Sequence, residues 1–256
     1  IGLNMEGPFI SVSMKGAQDE RNIIPCDAAL FREFQEAARG LIRFIGVAPE
    51  TGLDRTLDFI REVKGEVSVS LAHTNASYTD AKAAFDAGAC HAVHLFNAMP
   101  AFTHREPGVV GAVFDSKHVF AELICDGVHI HPAMVRAAFA MMGAERICLI
   151  SDSMRAAGMP DGSYTLGGLA VNVSGKHATL AEGGALAGSV TNLADCMRTA
   201  VKEMDIPLEE AIRCATLNPA RALHLEHRYG SIAPGKTGNL VLLNPDLSLK
   251  QVIVNG

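Results

Sequence analysis

The stretch Val67–Met99, "VSVSLAHTNASYTDAKAAFDAGACHAVHLFNAM", decides the fold. It begins with an alternating β-branched run that ends at His73, passes through a helix-spaced segment from Ser77 to Gly88, and returns to a second apolar run carrying His94. Strand, helix and strand in that order make one βα unit, in which the two strands lie parallel and finish at the same end of the sheet. His73 and His94, 21 residues apart, therefore meet at one rim.

Outward from this unit the same alternation repeats. Strands are expected at 1–5, 42–48, 67–72, 92–96, 118–125 and 146–151, with helices at 27–41, 52–64, 77–88 and 131–143. Asp27 is placed to cap its helix, and Gly88 and Gly143 suit the left-handed ends of theirs. The pattern predicts an α/β fold, a (β/α)8 barrel represented by six of its eight βα units. Ile1 is not a methionine and stands inside a strand-like run, so two further units are expected upstream. After the sixth strand, "YTLGGLAVNVSGKHATLA" (164–181) reads as a hairpin turning at Ser174-Gly175. Helices follow at about 190–204, 207–216 and 218–224. Residues 1–228 thus form the barrel portion. From 229 to 256 short strands punctuated by Pro, Gly and Asn suggest part of a small β-sandwich.

Composition narrows the function. The 256 residues are 48% hydrophobic with a net charge of −6, enough for a large core and without a basic stripe for nucleic acid or an anionic membrane. No run approaches the length of a membrane helix. Six cysteines form no CxxC pair and lie mostly in apolar runs, which favours reduced thiols and a cytoplasmic setting.

Four residues end strand-like runs: Glu6 in "IGLNMEG", His73 in "VSVSLAHTNA", His94 in "AVHLFNAM" and Asp152 in "ICLISDSM". The carboxyl ends of barrel strands converge on one mouth, so residues distant in sequence share a site there. One histidine at a strand end is ordinarily a hydrogen-bonded structural residue. Two imidazoles and a carboxylate at matching ends instead make a ligand set for a divalent metal, zinc first, with a position left for water. Asp152 is then the candidate proton carrier. The polar segment 94–108 suits a substrate loop: Arg105 offers a bidentate partner for a phosphate, and Asn97 with Ala98 offers amide donors. In "CDGVHIHP", Pro132 puts His131 at a helix start and leaves His129 for the site. His91, of opposite parity to His94, is expected on the other face of its strand.

The motifs "MEGPFIS", "KGAQ", "LAHTNA", "HLFNAM", "REPG", "CDGVHI", "LISDSM" and "LAGS", with "GSIAPGKTGNLVLLN" near the C-terminus, resemble those of the N-acetylglucosamine-6-phosphate deacetylases of the amidohydrolase superfamily. The resemblance runs through the whole chain. It implies a barrel with a small β-sandwich and a homodimer that releases acetate from N-acetylglucosamine 6-phosphate. It implies Glu6, His73 and His94 as ligands of one or two metal ions, zinc or alternatively iron, cobalt or manganese, and Asp152 as base and later acid. Asn97, Ala98, Arg105 and His129 match phosphosugar contacts, the arginine reaching the neighbouring subunit's site, and Leu186, Ala187 and Gly188 match a loop lining the sugar. The chain departs from many members in having Asn4 two residues before Glu6, and Gln18 where a histidine helps polarise the amide carbonyl. Other expectations are a galactosamine epimer as substrate, a cyclic-amide hydrolase, or an inactive fragment that only binds metal or phosphosugar.

Overall fold

Six short apolar strands assemble in chain order into one parallel sheet: β1 (Leu3–Phe9), β2 (Ile42–Val47), β3 (Ser68–Leu71), β4 (His91–Ala92), β5 (Phe120–Ile124) and β6 (Ile147–Ile150). The computed structural model describes residues 1–256. β2 sits between its neighbours in register, Ile45 opposite both Met5 and Val69. Sequential parallel order follows from helices that cross back over one face, and α1 (Ala28–Ala37), α2 (Leu53–Val63), α3 (Tyr78–Ala87), α4 (Gly108–Asp115) and α5 (Pro132–Met142) make those crossings. β1 pairs only with β2, and β6 only with β5. The sheet is therefore an open arc of a (β/α)8 barrel, as the six-unit count predicts.

Local chemistry sets the element boundaries. Asp27 Oδ1 accepts from the amides of Ala29 and Leu30 at 2.9 and 3.0 Å, opening α1. Ser77 caps α3, and Gly88 ends it with φ +131°. His131 caps α5 by accepting from the Ala133 amide, and Pro132 fills the first helical position, where no N–H is needed. Between sheet and helices the core is aromatic and aliphatic: the Phe59 ring meets Phe9 and Phe31 edge-on at 5.2 and 6.2 Å, beside buried Ile45, Leu71 and Leu123.

Two expectations are corrected. The strand expected at 92–96 is β4, His91–Ala92, because the chain leaves the ladder at Val93: His94, Phe96 and Ala98 take φ of +30°, +77° and +49°. The amides of His94 and Leu95 go instead to the side chain and carbonyl of Glu122. The expected hairpin is a three-stranded antiparallel sheet, β7 (Gly162–Leu166), β8 (Leu169–Ser174) and β9 (His177–Leu180). Its turns are Gly167-Gly168 and Gly175-Lys176, the second lying one residue beyond the expected Ser174-Gly175. Val171, Val173 and Ala178 of this sheet pack on Met154, Ala156 and Ala187, so the insertion stands on the loop after β6.

Three helices, α6 (Leu193–Glu203), α7 (Leu208–Ala215) and α8 (Leu217–Ala222), then return to the barrel side of the molecule. The chain closes with an antiparallel pair, β10 (Leu240–Leu243) and β11 (Leu249–Ile253), that leaves Val241, Leu249, Val252 and Val254 exposed. No helix is long and apolar enough to cross a membrane. All six cysteines are free, and burial pushes the thiols of Cys26 and Cys196 up to about 11 and Cys214 to about 12.

Candidate metal centre and active site

β1, β3 and β4 deliver Glu6, His73 and His94 to one point. Glu6 Oε1 lies 3.0 Å from His73 Nε2 and 2.9 Å from His94 Nε2, and the two Nε2 atoms are 3.1 Å apart. The rings stand edge to face at 82°. His73 Nδ1 donates to the Met14 carbonyl at 2.7 Å, which leaves Nε2 of the neutral ring as a lone pair aimed at the cluster. His94 Nδ1 is buried without a partner.

The donor set fits a divalent metal. Two imidazole nitrogens and one carboxylate oxygen, all within contact of one another, supply three convergent lone pairs and no neutral arrangement that satisfies them all. Metal–ligand bonds of about 2.0–2.1 Å put neighbouring ligands of a tetrahedral ion about 3.4 Å apart, close to the spacing here. Burial alone would raise the Glu6 carboxyl, but the imidazoles of His73 and His94 packed against it outweigh that and hold Glu6 well below the usual carboxylate range. Burial opposes charge on His94, and Glu6 more than offsets that, raising the imidazole above its ordinary value. The Glu6 carboxylate is thus held ionised at the centre of the cluster.

His73, His94 and Asp152 share an unusual backbone, with φ of +45°, +30° and +48°. Each non-glycine residue in this region costs on the order of 1–3 kcal/mol, so tertiary contacts must impose it. For His73 the surrounding loop is tied by the Ser11 amide to the His73 carbonyl, and by Glu50, whose carboxylate takes the Thr74 hydroxyl and the Asn75 amide at 2.6 Å each. For His94 the tie is Glu122. The Glu122 carboxylate also accepts from His91 Nε2 at 3.0 Å, so His91 turns inward to the carboxylate that holds His94 rather than to the opposite face. The parity argument fails because the extended strand stops at Ala92.

A cavity of about 720 Å³ opens over the cluster, with Asp152 on its wall. Partial enclosure raises the Asp152 carboxyl above its ordinary value; neighbouring His94 works against this and Glu6 with it. Gln18, Asn97, Ala98, His129, Leu186 and Gly188 line the same cavity. Gln18 Nε2 donates to both the Glu6 carbonyl and Glu6 Oε2, at 3.1 Å each. Asn97 turns its side-chain amide back onto the His94 and Leu95 carbonyls, and its own N–H also goes to His94. Ala98 accepts from Thr74 and leaves its N–H without a partner in the chain. His129 Nδ1 meets Asp126 Oδ2 at 2.8 Å, while Asp126 Oδ1 takes the Val128 and His129 amides.

Two expected residues stand apart. Arg105 is exposed on the loop before α4 and does not line the cavity. Ala187 is buried beneath the wall, packed among Met154 and Val171. The sequence reading also passed over Asp126 and Glu122. Asp126 had a visible signal, a carboxylate three residues before His129 across a glycine, which is the spacing of a self-capped turn. Glu122 had none, being one charged residue inside an apolar strand.

A parallel arc of strands with this donor set at its carboxyl ends is the arrangement of a metal-dependent barrel protein. Residues 1–256 match the model of the amidohydrolase family, and the chain belongs to that family. It is 38% identical over 257 residues to an N-acetylglucosamine-6-phosphate deacetylase of Bacillus subtilis (strain 168), covering all of this chain and 64% of that protein. It is also 38% identical to an N-acetylgalactosamine-6-phosphate deacetylase of Escherichia coli O157:H7, covering 67% of it. A variant N-acetyl-D-glucosamine-6-phosphate deacetylase of Mycobacterium smegmatis, solved with N-acetyl-D-glucosamine 6-phosphate, superposes with a TM-score of 0.95 at 36% identity, over all of this chain and 67% of that one. The chain thus spans about two thirds of the length of the proteins it matches.

Proposed function

We propose that this chain carries the active site of an N-acetylglucosamine-6-phosphate deacetylase, which hydrolyses the acetamide of N-acetyl-D-glucosamine 6-phosphate to D-glucosamine 6-phosphate and acetate in amino sugar catabolism. The observation that carries the reading is the convergence of Glu6, His73 and His94 within 3.1 Å, with Asp152 on the wall of the same cavity. A divalent ion on Glu6, His73 and His94, zinc in the first instance, supplies Lewis acidity for the amide carbonyl and lowers the pKa of water.

The chain's own residues do the rest. Asp152 takes a proton from the attacking water as the new carbon–oxygen bond forms at the acetyl carbon. The tetrahedral centre then collapses, the carbon–nitrogen bond breaks, and Asp152 returns the proton to the departing amine. A carboxylate raised by partial enclosure is a better base than an open one. Gln18 keeps Glu6 in place, and lacking positive charge it does so without competing for the cluster's cation. His129, oriented by Asp126, and the Ala98 N–H receive the sugar phosphate, with Asn97 fixing the turn that carries Ala98. Leu186 and Gly188 face the sugar ring, Ala187 supports them from below, and exposed Arg105 serves the site of a second copy in a homodimer.

In this reading residues 1–228 form the catalytic barrel portion and 229–256 the strands of a small β-domain. Six free thiols, five of them buried, suit the cytoplasm.

Equal identity to glucosamine and galactosamine relatives supports a second reading, the galactosamine epimer as substrate. Acetate release by the metal-loaded protein from each acetylated hexosamine 6-phosphate decides between them. Bound metal with no acetate from either would reduce the chain to a binding module.

A further inference from the structure

Asp152 makes no side-chain hydrogen bond within the chain, so its backbone alone sets the direction of its carboxylate. That backbone is left-handed at φ +48°, two residues past the end of β6. Something outside the strand must hold it there.

The stretch Gly188–Ser189 meets this need. Ser189, 1% exposed, donates its hydroxyl to the Ser151 carbonyl and its N–H to the Asp152 carbonyl at 2.7 Å, so one residue satisfies the acceptors on both sides of the Asp152 Cα. Its own carbonyl accepts from the Met154 N–H at 2.8 Å, and the Thr191 N–H donates to its Oγ at 3.3 Å, which turns the hydroxyl proton toward Ser151. Close approach is possible because Gly188 precedes it: at φ +62° a Cβ there would stand 3.0 Å from the Asp152 carbonyl oxygen.

We propose that Ser189 is the positioning residue for Asp152, locking the left-handed turn that aims the carboxylate into the cavity. The proposal rests on the reading of Asp152 as the proton carrier. Without the hydroxyl, the Ser151 carbonyl loses its donor, the Ser151–Asp152 peptide is free to rotate, and the carboxylate swings while metal and phosphosugar contacts stay intact. A misplacement of about 1 Å in a reacting group lowers turnover by up to about a hundredfold.

The test is Ser189→Ala in the metal-loaded protein, read by hydrogen exchange and by steady-state kinetics. Exchange at the Met154 amide is expected to rise at least about tenfold, and kcat to fall about tenfold to a hundredfold, with KM for N-acetylglucosamine 6-phosphate within about twofold and bound metal unchanged. Ser189→Cys, of matching shape but with a weak donor, is expected to fold and to show the same loss of kcat. Unchanged Met154 exchange, unchanged kcat in either variant, or a fall in kcat accompanied by loss of metal would overturn the proposal. Absence of turnover in the parent protein would sink the deacetylase reading instead, leaving the Ser189–Asp152 tie to be decided by exchange alone.

Discussion

Gln18 grips Glu6 twice, its side-chain amide donating to the Glu6 carbonyl and to Glu6 Oε2 at 3.1 Å each. The second bond occupies the carboxylate oxygen that the histidines do not use, so Oε1 is presented alone to the cluster. Partners of this kind fix a ligand's rotamer and typically contribute about 10–100-fold to metal affinity. Gln18→Ala is therefore expected to weaken zinc binding by about that factor, measured by chelator competition. Unaltered affinity would mean that the strand alone orients Glu6.

Asp152→Asn preserves size and leaves the three proposed ligand atoms, on Glu6, His73 and His94, untouched. Metal content should stay at the parent level while kcat falls by about two to four orders of magnitude, the range associated with a positioned proton carrier. Near-normal turnover would remove Asp152 from the mechanism.

The metal-free cluster has a defined pH signature. Glu6 is held below its ordinary 4.5, so its contribution to stability is complete above that value and is lost as pH falls toward the folded one. His94 is raised above 6.5, so its contribution is complete below 6.5 and is lost as pH rises through the folded value. Metal-free protein should accordingly melt at lower temperature as pH is taken from about 6 to about 9, and Glu6→Gln should flatten that slope. With zinc bound the sign reverses, because protons compete with the ion for imidazole. Calorimetry across this range, with and without chelator, checks both directions.

Arg146 is a buried cation with no carboxylate partner. It donates to the carbonyls of Val113, Ser116 and Val119 at 2.9–3.1 Å and more loosely to Met142 and Phe114, knitting the end of α4 to that of α5. Arg146→Ala leaves several buried acceptors unsatisfied, at about 1–3 kcal/mol for a group of that kind. The expected outcome is a loss of about 3 kcal/mol in urea unfolding with zinc affinity unchanged. Loss of metal binding in the folded variant would show that α4 and α5 reach the site more directly.

The parallel fold and the meeting of four positions were legible because apolar runs mark the strands: His73, His94 and Asp152 stand two residues past the ends of β3, β4 and β6, whereas β1 runs on to Phe9 and carries Glu6 within it rather than at its end. What stayed hidden depends on contacts between distant segments. Nothing in the letters around His94 announces that the ladder stops at Ala92, since the cause is Glu122 on another strand taking its amide. The assumed alternation then misdirected His91. Likewise Gly167-Gly168 makes a two-residue turn between β7 and β8 that the single-hairpin reading passed over in favour of Ser174-Gly175. The motif resemblance identified position 18 as a departure, but only geometry shows what glutamine does there.

The left-handed residues at the cavity rim set a limit on how far this protein can be hardened. Glycine at position 73, 94 or 152 would relax the main chain, yet in the proposed mechanism each such exchange deletes a ligand or the proton carrier. A search for heat-tolerant variants by melting temperature alone would therefore tend to collect inert ones at these three sites. Gains in durability compatible with activity have to come from elsewhere, such as the exposed apolar face of β10 and β11.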